Sequence, residues 1–185
     1  MSVIQFENIT TIYKNHLDAL YAYALHMGFD EQTAMDAIHD VFYKLCIRHT
    51  DFDDKSNLRF YLFRALRNRL IDIHRSYREI PGLEADKYET EEFPSFQLKI
   101  TIEDEIILQE DKEEIRKKIE QVLDRLTNRQ REIIYLRYIH EYRYEEIAEI
   151  MQISVESSRN LLSRTITRLR NSQLPLWVIL AFIQQ

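Results

Sequence analysis

The 185-residue chain is 45% hydrophobic and 30% charged, with two glycines, three prolines and one cysteine. So little glycine and proline argues against a sheet built on tight hairpins, the lone Cys46 excludes an internal disulfide, and no apolar run approaches the roughly 18–20 residues of a membrane span. The formal charge of −6 disfavours a nucleic-acid binder only as an average: residues 1–80 carry −1, residues 81–114 carry −9 and residues 115–185 carry +4. Screening cuts off distant charge within about 8–10 Å, so a binding face meets the local value. Ser2–Phe6 is neither basic nor followed by a long apolar run, so the expectation is a cytoplasmic protein without a secretory signal.

In chain order, apolar residues at helical spacing predict an all-α protein. A first helix covers much of Phe6–Met27, with Ile9, Ile12 or Tyr13, Leu17, Leu20 and Ala24 inward, and Gly28 ends it. Asp30 can cap a second helix reaching about His49, packed through Ala34, Ala37, Ile38, Val41, Phe42 and Leu45. The polar run from His49 reads as a loop. A third helix spans about Asn57–Arg78, with Leu58, Leu62, Leu66, Arg69, Leu70 and Ile73 on one side and Phe60, Arg64, Arg67, Asn68, Ile71 and Arg75 on the other. From Lys55 to Arg78 there are seven basic residues and one acid. Basic side chains among exposed rings suit single-stranded nucleic acid, whose phosphates follow the charges while its bases stack. A helix buried on nearly all sides, its arginines snorkelling to water, explains the same pattern equally well.

Ile80–Gln97, with Pro81, Gly82, Pro94 and dense acids, reads as an extended, solvated linker. Helical character resumes near Ile102, and Ile115, Ile119, Val122, Leu123 and Leu126 form an apolar stripe. Thr127 starts a helix packed through Ile133, Ile134, Leu136 and Tyr138. Tyr144–Arg170 then reads as two helices joined at Gln152-Ile153, with Ser154 capping the second. That second helix turns Val155, Ser158, Leu162, Thr165, Ile166 and Leu169 inward. Glu156, Ser157, Asn160, Ser163, Arg164 and Thr167 lie opposite, flanked by Arg159 and Arg168. Four arginines and no acid between Arg159 and Arg170, entered through a tight turn, fit a major-groove reader. A surface hairpin with solvated arginines is the alternative.

No catalytic constellation competes. The six histidines show no metal-ligand spacing, there is no glycine-rich phosphate loop, and adjacent His39 and Asp40 point apart on a helix.

The two basic helices, in this order, resemble the extracytoplasmic-function (ECF) group of bacterial RNA polymerase sigma factors. DAIHDVFYKL (Asp36–Leu45) is similar to the family's core-binding helix, LRFYLFRALRNRLIDIHR (Leu58–Arg75) to its promoter-melting helix, and LTNRQREIIYLRYIHEYRYEEIAEIMQIS followed by SSRNLLSRTITRLR to its fourth region. His39 stands where a polar amide or acid is usual, and Glu156, Ser158 and Leu161 where glycine, valine and a basic residue are typical. The resemblance implies two small helical domains, a region 2-like domain at 6–79 and a region 4-like helix-turn-helix domain at 111–172, joined by an acidic linker at 80–110 and followed by an apolar tail at 173–185. It implies a non-catalytic specificity subunit without a cofactor or metal. Asp36, His39, Asp40 and Phe42 would contact core RNA polymerase. Phe60, Tyr61, Arg64, Arg67, Asn68 and Arg75, with the loop His49–Lys55, would hold the melted non-template strand of the −10 element. Ser157, Arg159, Asn160, Ser163, Arg164 and Arg168 would read the −35 duplex. An anti-sigma factor is a further implied partner. A stand-alone helix-turn-helix regulator explains Tyr144–Arg170 but leaves Leu58–Arg75 idle, and a helical adaptor is the third reading. The apolar run Leu174–Ile183 either completes the C-terminal core or docks a regulatory partner.

Overall fold

The computed structural model describes residues 3–48, 55–78, 93–98, 109–172 and Pro175, without the side chains of 3–8, 48, 55–57, 78 and 109–113. The expected loop at 49–54, most of the acidic linker and all of the apolar tail except Pro175 lie outside the described residues. The described secondary structure is entirely helical and falls into two compact units, divided between Ser95 and Phe96.

In the first unit, α1 (Val3–His26), α2 (Glu31–Arg48) and α3 (Lys55–Arg78) each pack on the other two. Leu20, Tyr23 and Ala24 of α1 meet Ala34, Ala37, Ile38 and Val41 of α2 and Leu58, Leu62, Leu66 and Leu70 of α3 in a common core. The alanines on α1 and α2 permit close backbone approach, and the leucines of α3 recur every four residues along one stripe. The chain leaves α1 through Gly28 at φ +85°, a left-handed conformation that costs glycine little. Asp30 then caps α2, its carboxylate accepting from the Thr33 amide at 2.9 Å and the Thr33 hydroxyl at 2.7 Å. Those bonds hold the Asp30 carboxyl below its ordinary range.

In the second unit, α4 (Gln109–Asp124) buries Ile119 and Leu123. Thr127 opens α5 (Asn128–Ile134) with a capping box, accepting from the Gln130 amide while Gln130 accepts from the Thr127 amide. Arg131 ties these pieces together. Its guanidinium donates to the carbonyl of Leu123, near the end of α4, at 3.0 Å and to that of Phe96 at 2.9 Å. α5 runs without a break into a wider π turn at Tyr135–Ile139. After Glu141, at φ +58°, come α6 (Tyr144–Met151) and α7 (Val155–Arg170), and α7 packs on both α5 and α6.

Two features correct the sequence reading. The helical spacing predicts plain α-helix where the π turn at Tyr135–Ile139 lies. Phe93 and Phe96, placed in a solvated linker, are 1% and 0% exposed, the first in the first unit and the second in the second. Composition marks that stretch as polar, and two aromatic side chains suffice to anchor its end.

Candidate nucleic-acid interface

The face of α7 begins with its entry. Gln152 ends α6 in the left-handed conformation, φ 53° and ψ 49°, reversing the chain where glycine would be easier. Ser154 then caps α7, accepting from the Ser157 amide at 3.0 Å. With the helix so aimed, Ser158, Leu162, Thr165 and Leu169 are buried against α5 and α6. Ser157, Arg159, Asn160, Ser163, Arg164 and Arg168 are all exposed, as the periodicity predicted. Thr165 satisfies its buried hydroxyl by donating to the Leu161 carbonyl at 2.7 Å. Ser158 does not: its Oγ is fully buried without a hydrogen-bond partner among the described residues. The hydroxyl of Ser157 is already engaged by that of Ser154, at 2.8 Å.

One part of this surface escaped the sequence reading. The Tyr144 ring carries two guanidinium groups, Arg137 Cζ at 5.4 Å and Arg159 Cζ at 5.6 Å from its centroid. Arg137 also donates to the Tyr142 carbonyl at 2.8 Å, and Arg159 sits 3.4 Å from the Glu145 carboxylate. The stack gathers two cations at the start of the helix-turn-helix. Periodicity within one helix could not find this stack, because Arg137, Tyr144 and Arg159 lie in three different elements, the π turn, α6 and α7.

On α3, the exposed or half-exposed face is Tyr61, Arg64, Asn68 and Arg75, with Phe60 at its edge. These positions, three, four and seven apart, share one side of the helix. Arg67 does not belong to it. It is 2% exposed, beside the buried Phe63 and Ile71, with the Phe93 ring centroid 5.8 Å from its Cζ. The expectation that Arg67 and Ile71 lie on an open face is corrected: each lies four residues from another buried side chain, on a second covered stripe. Arg69, expected inward, is partly exposed and pairs with Asp40 of α2 at 2.6–2.7 Å.

On α2, Asp36 and His39 are exposed, and the Asp40 side chain is 45% exposed. His39 stacks on Tyr13, whose hydroxyl lies 3.1 Å from His39 Nε2. Phe42, expected at the polymerase contact, is a further correction. It is 5% exposed and packs edge-on against Tyr13, ring centroids 5.0 Å apart, so it supports the surface from below. The apolar groups that α2 does present are Tyr43 and Ile47, 67% and 57% exposed. Beside Asp36, an open groove is lined by Leu17, Asp18 and Tyr21 of α1 and Glu31, Gln32 and Met35 of α2. Desolvation, and then the Glu31 carboxylate that it hydrogen-bonds, push the Tyr21 phenol above its ordinary pKa. Among the described residues no cluster of His, Cys, Asp or Glu is placed to hold a metal, and no helix is long and apolar enough to cross a membrane.

A helix-turn-helix with an exposed basic face in one unit, and a basic helix with aromatic neighbours in another, define a DNA-binding protein of transcription. Residues 12–80 match the family model of Sigma-70 region 2 and residues 116–169 that of Sigma-70, region 4. Together these cover about two thirds of the chain, which belongs to the sigma-70 factors and is similar to a member of their ECF group. The ECF RNA polymerase sigma factor SigM of Bacillus subtilis (strain 168) is 25% identical over 171 residues, spanning 88% of this chain and 93% of SigM. The RNA polymerase sigma factor YlaC of the same organism is 24% identical, over 90% of this chain and 92% of YlaC. Two solved structures share the fold. The sigma factor RpoE from Bartonella quintana, in complex with the anti-sigma factor NepR, has a TM-score of 0.59 at 23% identity, covering 89% of this chain and 95% of RpoE. CnrH, in complex with the cytosolic domain of CnrY, has a TM-score of 0.52 at 20% identity, covering 87% and 84%.

Proposed function

We propose that this chain binds core RNA polymerase in the bacterial cytoplasm and directs it to promoters, the polymerase supplying all the catalysis. The observation that carries the reading is the pairing of two different nucleic-acid faces, the exposed face of α7 and the Tyr61/Arg64/Asn68/Arg75 face of α3.

The α7 face suits duplex DNA. Asn160 and Arg164 carry the amide and guanidinium groups that pair bidentately with adenine and guanine edges in the major groove, while Arg159 and Arg168 on its flanks suit phosphates. Arg137, stacked through Tyr144 onto Arg159, adds a cation where the first helix of such a motif crosses the backbone. This face would read the −35 element. The α3 face suits a melted −10 strand: Arg64 and Arg75 follow phosphates, and Phe60, Tyr61 and Asn68 offer stacking and hydrogen-bonding groups to unpaired bases. Unstacking a base costs a few kcal/mol, which such a surface offsets. Core binding would fall to Asp36, His39 and Asp40, with Tyr43, Ile47 and the groove at Leu17, Tyr21 and Met35 supplying apolar area. The neighbouring solved complexes support an anti-sigma factor as a further partner.

The test is permanganate footprinting of promoter DNA with the factor, with core polymerase, and with both. Unpaired thymines are expected only with both proteins. Duplex binding by the chain alone, with no co-elution with core and no melting when core is added, would leave a helix-turn-helix regulator instead.

A further inference from the structure

Tyr13 of α1 reaches across to α2 and meets two of its rings. Its hydroxyl lies 3.1 Å from His39 Nε2, with the ring centroids 6.1 Å apart and the planes 16° from parallel. Phe42, 5% exposed, packs edge-on against the same tyrosine, centroids 5.0 Å apart. Tyr13 is half-buried, whereas His39 is exposed. The imidazole is thus a surface group whose Nε2 is engaged from inside the bundle, while among the described residues Nδ1 has no hydrogen-bond partner.

We propose that Tyr13 is a positioning residue for the core-polymerase contact, fixing His39 as the Nδ1–H tautomer so that the ring offers a hydrogen-bond donor to a carbonyl oxygen of the polymerase. The proposal rests on the reading of α2 as the core-binding surface. In a neutral imidazole one nitrogen donates and the other accepts, and the bond made by the first decides what the second offers. A phenol O–H is a stronger acid than an imidazole N–H, and the bare imidazole nitrogen is a better acceptor than a phenol oxygen. The bond therefore runs from the Tyr13 hydroxyl to His39 Nε2, which leaves the ring proton on Nδ1. The class of partner follows from the neighbours. Asp36 is exposed one turn before His39, and Asp40 beside it is taken up by Arg69. Asp36 can only accept hydrogen bonds, and its charge repels a second carboxylate, so a neutral carbonyl is the acceptor that suits the His39 donor. Holding the tautomer and the ring orientation in the free factor also removes a freedom that binding would otherwise have to freeze.

The experiment titrates the full, fluorescein-labelled chain with core RNA polymerase and follows anisotropy, with circular dichroism as the control for folding. Tyr13→Phe keeps a ring against Phe42 and removes only the hydroxyl, and it is expected to weaken core binding about 3- to 10-fold, the size of one hydrogen bond. His39→Ala should weaken binding at least as much, and the Tyr13→Phe/His39→Ala double variant should bind no more weakly than His39→Ala. The ring itself is read in long-range proton–nitrogen NMR spectra of the free chain, in buffer alkaline enough to leave imidazoles neutral. The His39 signal, identified as the one that His39→Ala removes, should show the Nδ1–H tautomer and shift in Tyr13→Phe towards the Nε2–H form that free histidine prefers. An Nε2–H tautomer in the parent chain, an unchanged core affinity for Tyr13→Phe, or a loss from Tyr13→Phe that persists without His39 overturns the proposal. Failure of the α2 reading itself is distinguishable, because Asp36→Ala, His39→Ala and Asp40→Asn would then all leave core affinity unchanged.

Discussion

α3 and α7 carry similar charge patterns and meet opposite fates. Every basic side chain of α7 is exposed, because α5 and α6 cover one stripe only. α3 is covered by two helices and by Phe93, and of its described basic residues one is buried and another paired with Asp40. A basic helix is therefore a binding face only to the extent that its neighbours leave it open. Charge density along the sequence does not measure that.

The largest effect should come from the covered stripe of α7. Leu169 is 0% exposed, and Leu169→Ala is expected to cost about 2–5 kcal/mol in urea denaturation, the range for a buried leucine. A loss below about 1 kcal/mol would mean that the aim of α7 does not depend on this contact. On the open side, Arg164→Ala should weaken promoter binding by about 1–3 kcal/mol and relax its sequence preference, with no change in melting. Arg168→Ala should instead weaken all sequences alike and lower the salt slope by about one. Equal losses on specific and random duplexes for Arg164→Ala would move that residue to the phosphate class.

Ser158 offers a gain. Its buried hydroxyl lacks a partner among the described residues, so Ser158→Ala should stabilise the chain by about 1 kcal/mol, read as a shift in denaturation midpoint. Destabilisation would imply that the hydroxyl is satisfied after all. The Asp40–Arg69 pair, with 45% and 38% of each side chain exposed, should be worth less: Arg69→Ala is expected to cost about 0.2–1 kcal/mol. If Asp40 is a polymerase contact, Asp40→Asn should lower core affinity by more than it lowers stability.

The smallest effect belongs to His16. Desolvation, and then the nearby Arg59 charge, lower its pKa from the ordinary 6.5, so the folded chain binds the proton less readily than the unfolded chain. The associated stability is present above pH 6.5 and lost as pH falls through that value towards the folded pKa. His16→Gln should flatten the slope of melting temperature against pH between about 7 and 5. An unchanged slope would assign the acid sensitivity to other groups.

What the sequence determined by itself was local. Asp30 and Ser154 cap the helices the sequence assigns them, Thr127 opens the helix it is expected to start, Gly28 and Gln152 take the left-handed turns, and α6 and α7 begin and end where the pattern places them. The exposed face of α7 was legible for the same reason: caps and amphipathic spacing are set by residues three or four apart. What only the tertiary structure decided was non-local. Arg67 and Phe42 sit on helices with apolar residues on more than one side, and periodicity does not say which side stays open. That was settled by Phe93 across Arg67 and by Tyr13 across Phe42, residues 26 and 29 positions away in the chain. Phe93 and Phe96 read as linker because their acidic neighbours outweigh two rings in any window of composition. Arg137, Tyr144 and Arg159 come together from the π turn, α6 and α7, a meeting that no pattern within one helix announces. Helix formation is a matter of neighbours in sequence, whereas the cover over a side chain comes from whatever else the chain folds against it.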